Sequence, residues 1–258
     1  MTDEPFFLEV TIAAPVGDVW SALRDPELIR RWHGWHFDGL DKEIEVIYYQ
    51  NVVESSAEHR LEIQGGDLFE LADLGGRTRL RVTRAPRGGD PDWDAYYDDI
   101  TEGWITFVHQ LAFALERHPG ADRRTVFLSG PSAPVPVPVP VPEATGLAAV
   151  AGLSPGSPYE LEAPAGETLR GEIRFRSANQ VGLTVEGWGD GLLVAVQNPP
   201  SPANPRGTAM MVLTTYGLDD TAFADLESRW NAWWGRVFSE APANGQGDPA
   251  GAERAPNA

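Results

Sequence analysis

The sequence predicts an α+β protein: an antiparallel meander closed by a long amphipathic helix, written twice, with the second copy incomplete. Three observations predict it. Runs of period-two alternation fill much of residues 44–83 and 169–212. Each set is followed by an Asp-Asp pair and a helix-spaced apolar stripe. Between the sets lies Pro134–Pro142, a strict Pro–Val alternation. Such a segment cannot be helical and would lose too many ladder donors as a central strand, so it reads as a polyproline II linker of roughly 28 Å. The boundaries that follow are 1–120 for the first copy, 121–240 for the second with the linker inside it, and 241–258 for a disordered tail.

Phe6-Phe7-Leu8-Glu9-Val10-Thr11-Ile12 reads as the first strand. Pro15 opens a helix with Val16, Val19, Trp20 and Leu23 on one face. Asp25-Pro26 breaks it, and a second short helix runs from Glu27 to Trp32 until Gly34 ends it. Ile44, Val46 and Tyr48 then alternate as a strand, followed by Leu61 with Ile63 and by Thr78, Leu80 and Val82. Gly65-Gly66 and Gly75-Gly76 supply the hairpin turns. A long helix from Asp98-Asp99 to Arg117 carries Ile100, Trp104, Phe107, Val108, Leu111 and Leu115 on one stripe.

The same grammar returns after the linker. Arg124 to Leu128 serves as a first strand, and a short segment, Glu143 to Leu153, stands where two helices are expected. Leu169 to Phe175, Leu183 with Val185, Leu192 to Val196 and Thr208 to Val212 are strands. Asp219-Asp220 opens a helix with Phe223, Leu226, Trp230, Trp233, Trp234 and Val237 on one face. Thr208, Met210 and Val212 match Thr78, Leu80 and Val82, and Asp225, Leu226 and Trp230 match Asp99, Ile100 and Trp104.

Composition narrows the function classes. Nine Trp, ten Phe and six Tyr in 258 residues supply ample core, so disorder is not the main reading. A net charge of −18 repels phosphate backbones and anionic lipid, which disfavours nucleic acid and membrane partners. The absence of cysteine removes disulfides, thiolate ligands and thiol nucleophiles. MTDEPFFLEV lacks a basic segment before an apolar run, and no stretch approaches eighteen uninterrupted apolar residues, so a cytoplasmic protein is expected.

Ile12-Ala-Ala-Pro-Val-Gly-Asp-Val-Trp-Ser-Ala-Leu23, Asp25-Pro26-Glu27-Leu28, Arg31-Trp32 and the closing helix with Gly103-Trp104 and Gln110-Leu111 resemble the START-like (SRPBCC) superfamily. More narrowly they resemble the branch named after the C-terminal domain of the heat-shock-protein-90 ATPase activator. The resemblance covers residues 6 to about 118 well and 123 to 239 weakly. It implies a helix-grip fold, in which a curved sheet wraps the closing helix around an apolar cavity. It further implies ligands such as lipids, hormones or polyketides, with cyclisation or dehydration in a few members.

The chemistry-bearing residues are sparse. His33 and His36 sit three apart without further ligands, so a metal site is not expected. No Gly-x-Ser-x-Gly elbow, Walker-A sequence or Gly-x-Gly-x-x-Gly fingerprint is present, and no cofactor is expected. Acid–base work in a cavity would fall to Tyr48, Glu70, His33 or His36. His109 lies about 140° from Trp104 on the closing helix, off the core stripe. The expected ligand-binding residues are Trp32 and Trp35 at the mouth, Tyr48 and Phe69 on the sheet, and Trp104, Phe107 and Leu111 on the helix. The same residues serve equally well as a filled core. Three functions follow: a module binding a small apolar ligand in the first copy, a chaperone-ATPase interaction protein as the branch name suggests, or a polyketide cyclase-type enzyme.

Overall fold

The computed structural model describes residues 6–88, 91–131, 145–201 and 205–238. The Pro–Val segment and the tail expected to be disordered lie outside them. The chain divides into two compact units, one of residues 6–97 and 103–121, the other of residues 98–102 and 122–238.

In the first unit β1 (Phe7–Ile12) leads into α1 (Val16–Arg24), α2 (Pro26–Arg30) and α3 (Leu40–Tyr49). Strands β2 (Val53–Ser55), β3 (Arg60–Glu62), β4 (Leu68–Asp73) and β5 (Thr78–Thr83) follow, and α4 (Pro91–Arg117) closes the unit. The sheet order is β1-β5-β4-β3-β2, so the first strand pairs with the last. Leu61, Phe69 and Val82 are cross-strand partners in one row, with Leu71 and Leu80 in the next. These five residues are buried, which fixes the register because a one-residue slip would turn them outward.

Residues 44–48 are helical, not a strand. Ile44, Val46 and Tyr48 do alternate, but Leu40, Glu43, Ile44 and Tyr48 also fall at helical spacing. The structure buries that second set, so tertiary packing decides between two periods the sequence satisfies equally. α4 also starts earlier than Asp98-Asp99 predicts.

The second unit runs β6 (Arg123–Pro131), β7 (Pro158–Glu162), β8 (Thr168–Arg176), β9 (Gln180–Val185), β10 (Gly191–Asn198), β11 (Thr208–Tyr216) and a closing helix α5 (Asp220–Val237). Its order, β6-β11-β10-β9-β8-β7, again pairs first strand with last. Among the described residues the stretch between β6 and β7 holds one 3-10 turn, Ala148–Val150. Both units therefore have the helix-grip arrangement of meander and closing helix that the sequence predicts.

The second core joins Val126, Leu128, Leu183, Leu193, Ala195, Met211 and Leu213 of the sheet to Phe223, Leu226, Trp230, Trp233 and Trp234 of α5. Asp219 caps that helix, its carboxylate accepting from the Ala222 amide at 2.8 Å. Val237, expected on the buried stripe, is exposed. The proposed match of Thr208, Met210 and Val212 to Thr78, Leu80 and Val82 also fails by one residue. The face of β11 in the core with α5 carries Ala209, Met211 and Leu213. Long apolar runs hide strand register because both faces are hydrophobic.

Candidate functional site

His33 follows α2 by one further turn, its amide donating to the Ile29 carbonyl at 2.8 Å. Gly34 then takes φ +55°, the left-handed position that ends a helix at little steric cost. This places the His33 imidazole, fully buried, against the buried face of α3. Tyr48 Oη lies 3.0 Å from His33 Nδ1, and His33 Nε2 lies 2.9 Å from Glu43 Oε1. The three side chains form one hydrogen-bonded chain, Tyr48–His33–Glu43. An ionised Glu43 only accepts, so His33 Nε2 donates to it, and Nδ1 is left to accept from the Tyr48 hydroxyl. Burial first, and the Glu43 carboxylate second, push the Tyr48 phenol well above its ordinary pKa.

Aromatic rings surround the imidazole. Its centroid lies 4.7 Å from Phe107, 5.3 Å from Tyr48, 5.7 Å from Trp32 and 6.1 Å from Trp104. Phe69 meets Trp104 edge-on at 5.2 Å, and Trp35 meets Phe107 at 6.2 Å. Leu111 is buried one turn beyond Phe107 on α4. The expected ligand residues other than Leu111 are thus linked ring to ring, with two changes of place. Tyr48 stands on a helix, and Trp32 is not at a mouth: it is 1% exposed and donates its indole N–H to the Ala22 carbonyl at 2.8 Å. Trp35 and Phe107 are half-buried and form the solvent side of the group.

The other acid–base candidates stand apart. Glu70 and His36 are exposed, so the His33–His36 spacing brings no two imidazoles together in the core. Among the described residues no group of three or more His, Asp or Glu is placed to hold a metal ion. No helix among them is long and apolar enough to cross a membrane. Glu43 was missed in the sequence because the strand reading put it before the element. The signal was there: a lone acid in Leu40-x-x-Glu43-Ile44-x-x-x-Tyr48, an otherwise apolar helical face.

The indole of Trp104 is also held from behind. Its Nε1 donates to Asp67 Oδ2 at 2.8 Å, while Asp67 Oδ1 accepts from Arg84 Nε at 2.9 Å and from the Ala85 amide at 2.8 Å. In the second unit Trp230 Nε1 donates to Glu167 Oε1 at 2.6 Å, and Trp188 Nε1 donates to Glu167 Oε2 at 3.3 Å. Arg229 pairs with the same Glu167 carboxylate at 3.3 Å. Each closing helix is therefore clasped through an indole to a carboxylate in a hairpin turn.

No protein-family model and no curated protein matches the chain. Solved structures similar to it include the following three. One is DynU16, a protein of the dynemicin biosynthetic locus, at 18% identity over 92% of this chain and 97% of that one, TM-score 0.31. A second is the di-domain ARO/CYC BexL from the BE-7585A biosynthetic pathway, at 12% identity over 94% and 100%, TM-score 0.35. The third is the di-domain ARO/CYC StfQ from the steffimycin biosynthetic pathway, at 12% identity over 91% and 98%, TM-score 0.33.

Proposed function

We propose that the first unit is a START-like module that binds a small, mostly apolar ligand at the aromatic group around His33. The observation that supports this reading is a polar chain buried inside a shell of rings. Glu43 Oε2 is buried and, among the described residues, has no hydrogen-bond partner. Leaving a buried acceptor unsatisfied costs about 1–3 kcal/mol, more if it is charged, with no return in stability. Groups held at such a cost cluster where a ligand completes them. The half-buried Trp35 and Phe107 are the rings a ligand would pass.

The test uses Nile red, a neutral apolar dye, titrated into the full chain. One saturable site is expected. Phe107→Trp, which fills the space beside His33, should weaken binding by about tenfold or more, while Trp233→Phe in the second unit leaves it unchanged. Binding lost in Trp233→Phe alone would place the ligand in the wrong unit. Thermal melts of both variants separate loss of site from loss of fold.

A second reading, acid–base catalysis of the polyketide cyclase type, has one observation in its favour. Tyr48, His33 and Glu43 form a continuous path along which a proton can move from phenol to imidazole to carboxylate. The chaperone-partner reading rests on the sequence resemblance alone.

A further inference from the structure

We infer that the His33 site selects neutral ligands that donate a hydrogen bond, phenols and alcohols above all, and that Glu43 Oε2 receives the donated proton's hydrogen bond. The inference deepens the ligand-binding reading and rests on it. Its basis is a count of what the buried groups have left to offer.

The donors of the polar chain and of the two buried indoles beside it are already committed. The Trp32 indole donates to Ala22 and the Trp104 indole to Asp67. His33 Nε2 donates to Glu43 Oε1, and the Tyr48 hydroxyl donates to His33 Nδ1. What these groups leave is acceptor capacity: the lone pairs of Glu43 Oε2 and those of Tyr48 Oη. The ring faces and edges contribute no strong donor.

Charge points the same way. Glu43 is the one carboxylate in the hydrogen-bonded chain, and its side chain is 7% exposed. The Arg24 guanidinium serves the Tyr48 backbone carbonyl at 2.7 Å and pairs with Glu54 at 2.7 Å, and that of Arg84 pairs with Asp67 at 2.9 Å. An anionic ligand brought beside Glu43 would meet like charge in a poorly screened place. A hydrocarbon would leave Oε2 unsatisfied. A hydroxyl satisfies it, and a hydrogen bond to a charged acceptor is among the strong ones.

The test is a panel of three probes of one shape, naphthol, naphthalene and naphthoate, titrated into the full chain by calorimetry. The long-range proton–nitrogen NMR signals of His33 are followed at the same time. Naphthol should bind about tenfold or more tighter than naphthalene, with naphthoate weakest; a charge-assisted bond of ~1.5–3 kcal/mol corresponds to that range. The free protein should show His33 as the Nε2–H tautomer, and naphthol should move its nitrogen signals. Glu43→Gln should shrink the preference for naphthol over naphthalene to about threefold or less.

Equal binding of naphthol and naphthalene at His33, or tightest binding of naphthoate, overturns this inference while leaving the ligand site standing. An Nδ1–H tautomer overturns it as well, because the Tyr48 hydroxyl would then be free to donate. Binding by none of the probes, or binding that leaves His33 untouched, overturns the ligand site and the inference together. The tautomer and the wild-type panel need no variant, so a Glu43→Gln chain that fails to fold does not shelter the proposal.

Discussion

The two closing helices are held by the same device, and the groups they face differ. Asp67 and Glu167 each spend both carboxylate oxygens on indole, arginine or amide donors. Their hairpins also match in detail. Ile63 donates to the Asp67 carbonyl at 3.0 Å and Gly66 to the Ile63 carbonyl at 3.0 Å. The equivalent bonds, Ala163 to Glu167 and Gly166 to Ala163, measure 2.7 and 2.9 Å. The hairpin is β3–β4 in one sheet and β7–β8 in the other, so the device recurs without the same strand position. Against α4 stands the polar chain of His33, Glu43 and Tyr48. Against α5, Trp188 of the turn before β10 meets Trp230 edge-on, Trp230 meets Trp233 and Trp233 meets Trp234, at 5.5–5.7 Å. Carboxylates that hold this fold together are saturated, and Glu43 is not. That contrast separates two structural acids from the one proposed to meet a ligand.

The largest expected effect breaks a clasp. Asp67→Ala removes the carboxylate that pairs with Arg84, which is 6% exposed, and should cost about 3–5 kcal/mol in denaturant unfolding, as removal of one partner of a buried ion pair does. Glu167→Ala should cost less, about 1–3 kcal/mol, because the Arg229 side chain is 33% exposed and can turn to water. Equal costs would show that the two clasps are not graded by burial.

Alkaline stability gives the next effect. Burial holds Tyr216 up at about 12, with the Arg123 cation beside it working the other way. Below pH ~10 both folded and unfolded phenols keep their proton, and the full contribution is present. Between there and about 12 only the unfolded state loses it, so the Tyr216 contribution falls as pH rises, by roughly 2–3 kcal/mol. Tyr216→Phe should lack that fall. Tyr48, raised by burial and by Glu43, should show the same sign, and Tyr48→Phe should remove a phenolate absorbance step that appears late in an alkaline titration. An early step for Tyr48 would mean that His33 does not keep its hydroxyl buried.

The smallest effect is the sharpest. Glu43→Gln should change stability by about 1 kcal/mol or less, or raise it, since a buried charge with one idle oxygen is replaced by a neutral isostere. A loss as large as that of Asp67→Ala would make Glu43 a structural acid after all.

Much of the fold was legible in the sequence because period two and period three-to-four leave different traces, as at Thr78–Val82 and Phe223–Trp234. What was not legible has particular causes. Residues 40–48 satisfy both periods, and only burial of Leu40, Glu43, Ile44 and Tyr48 together chooses the helix. That choice also carried Glu43 to His33, so one misread element hid the acid of the candidate site, while His33 and Tyr48 were already named. The aromatic half was legible, since Trp104 and Phe107 sit on a stripe that no alternative period explains. The clasps left a trace that went unread: Leu61-Glu62-x-x-x-Gly66-Asp67 and Leu161-Glu162-x-x-x-Gly166-Glu167.

The clasps also make each closing helix its own clock. An indole proton bonded to a sheltered carboxylate exchanges with solvent only when that bond opens. Trp104 and Trp230 are 5% and 0% exposed, so their indole protons would be replaced by deuterium at the rate each helix lifts from its hairpin. Two resonances in one spectrum would therefore time two opening events separately. A ligand seated beside His33 would slow the first and leave the second running.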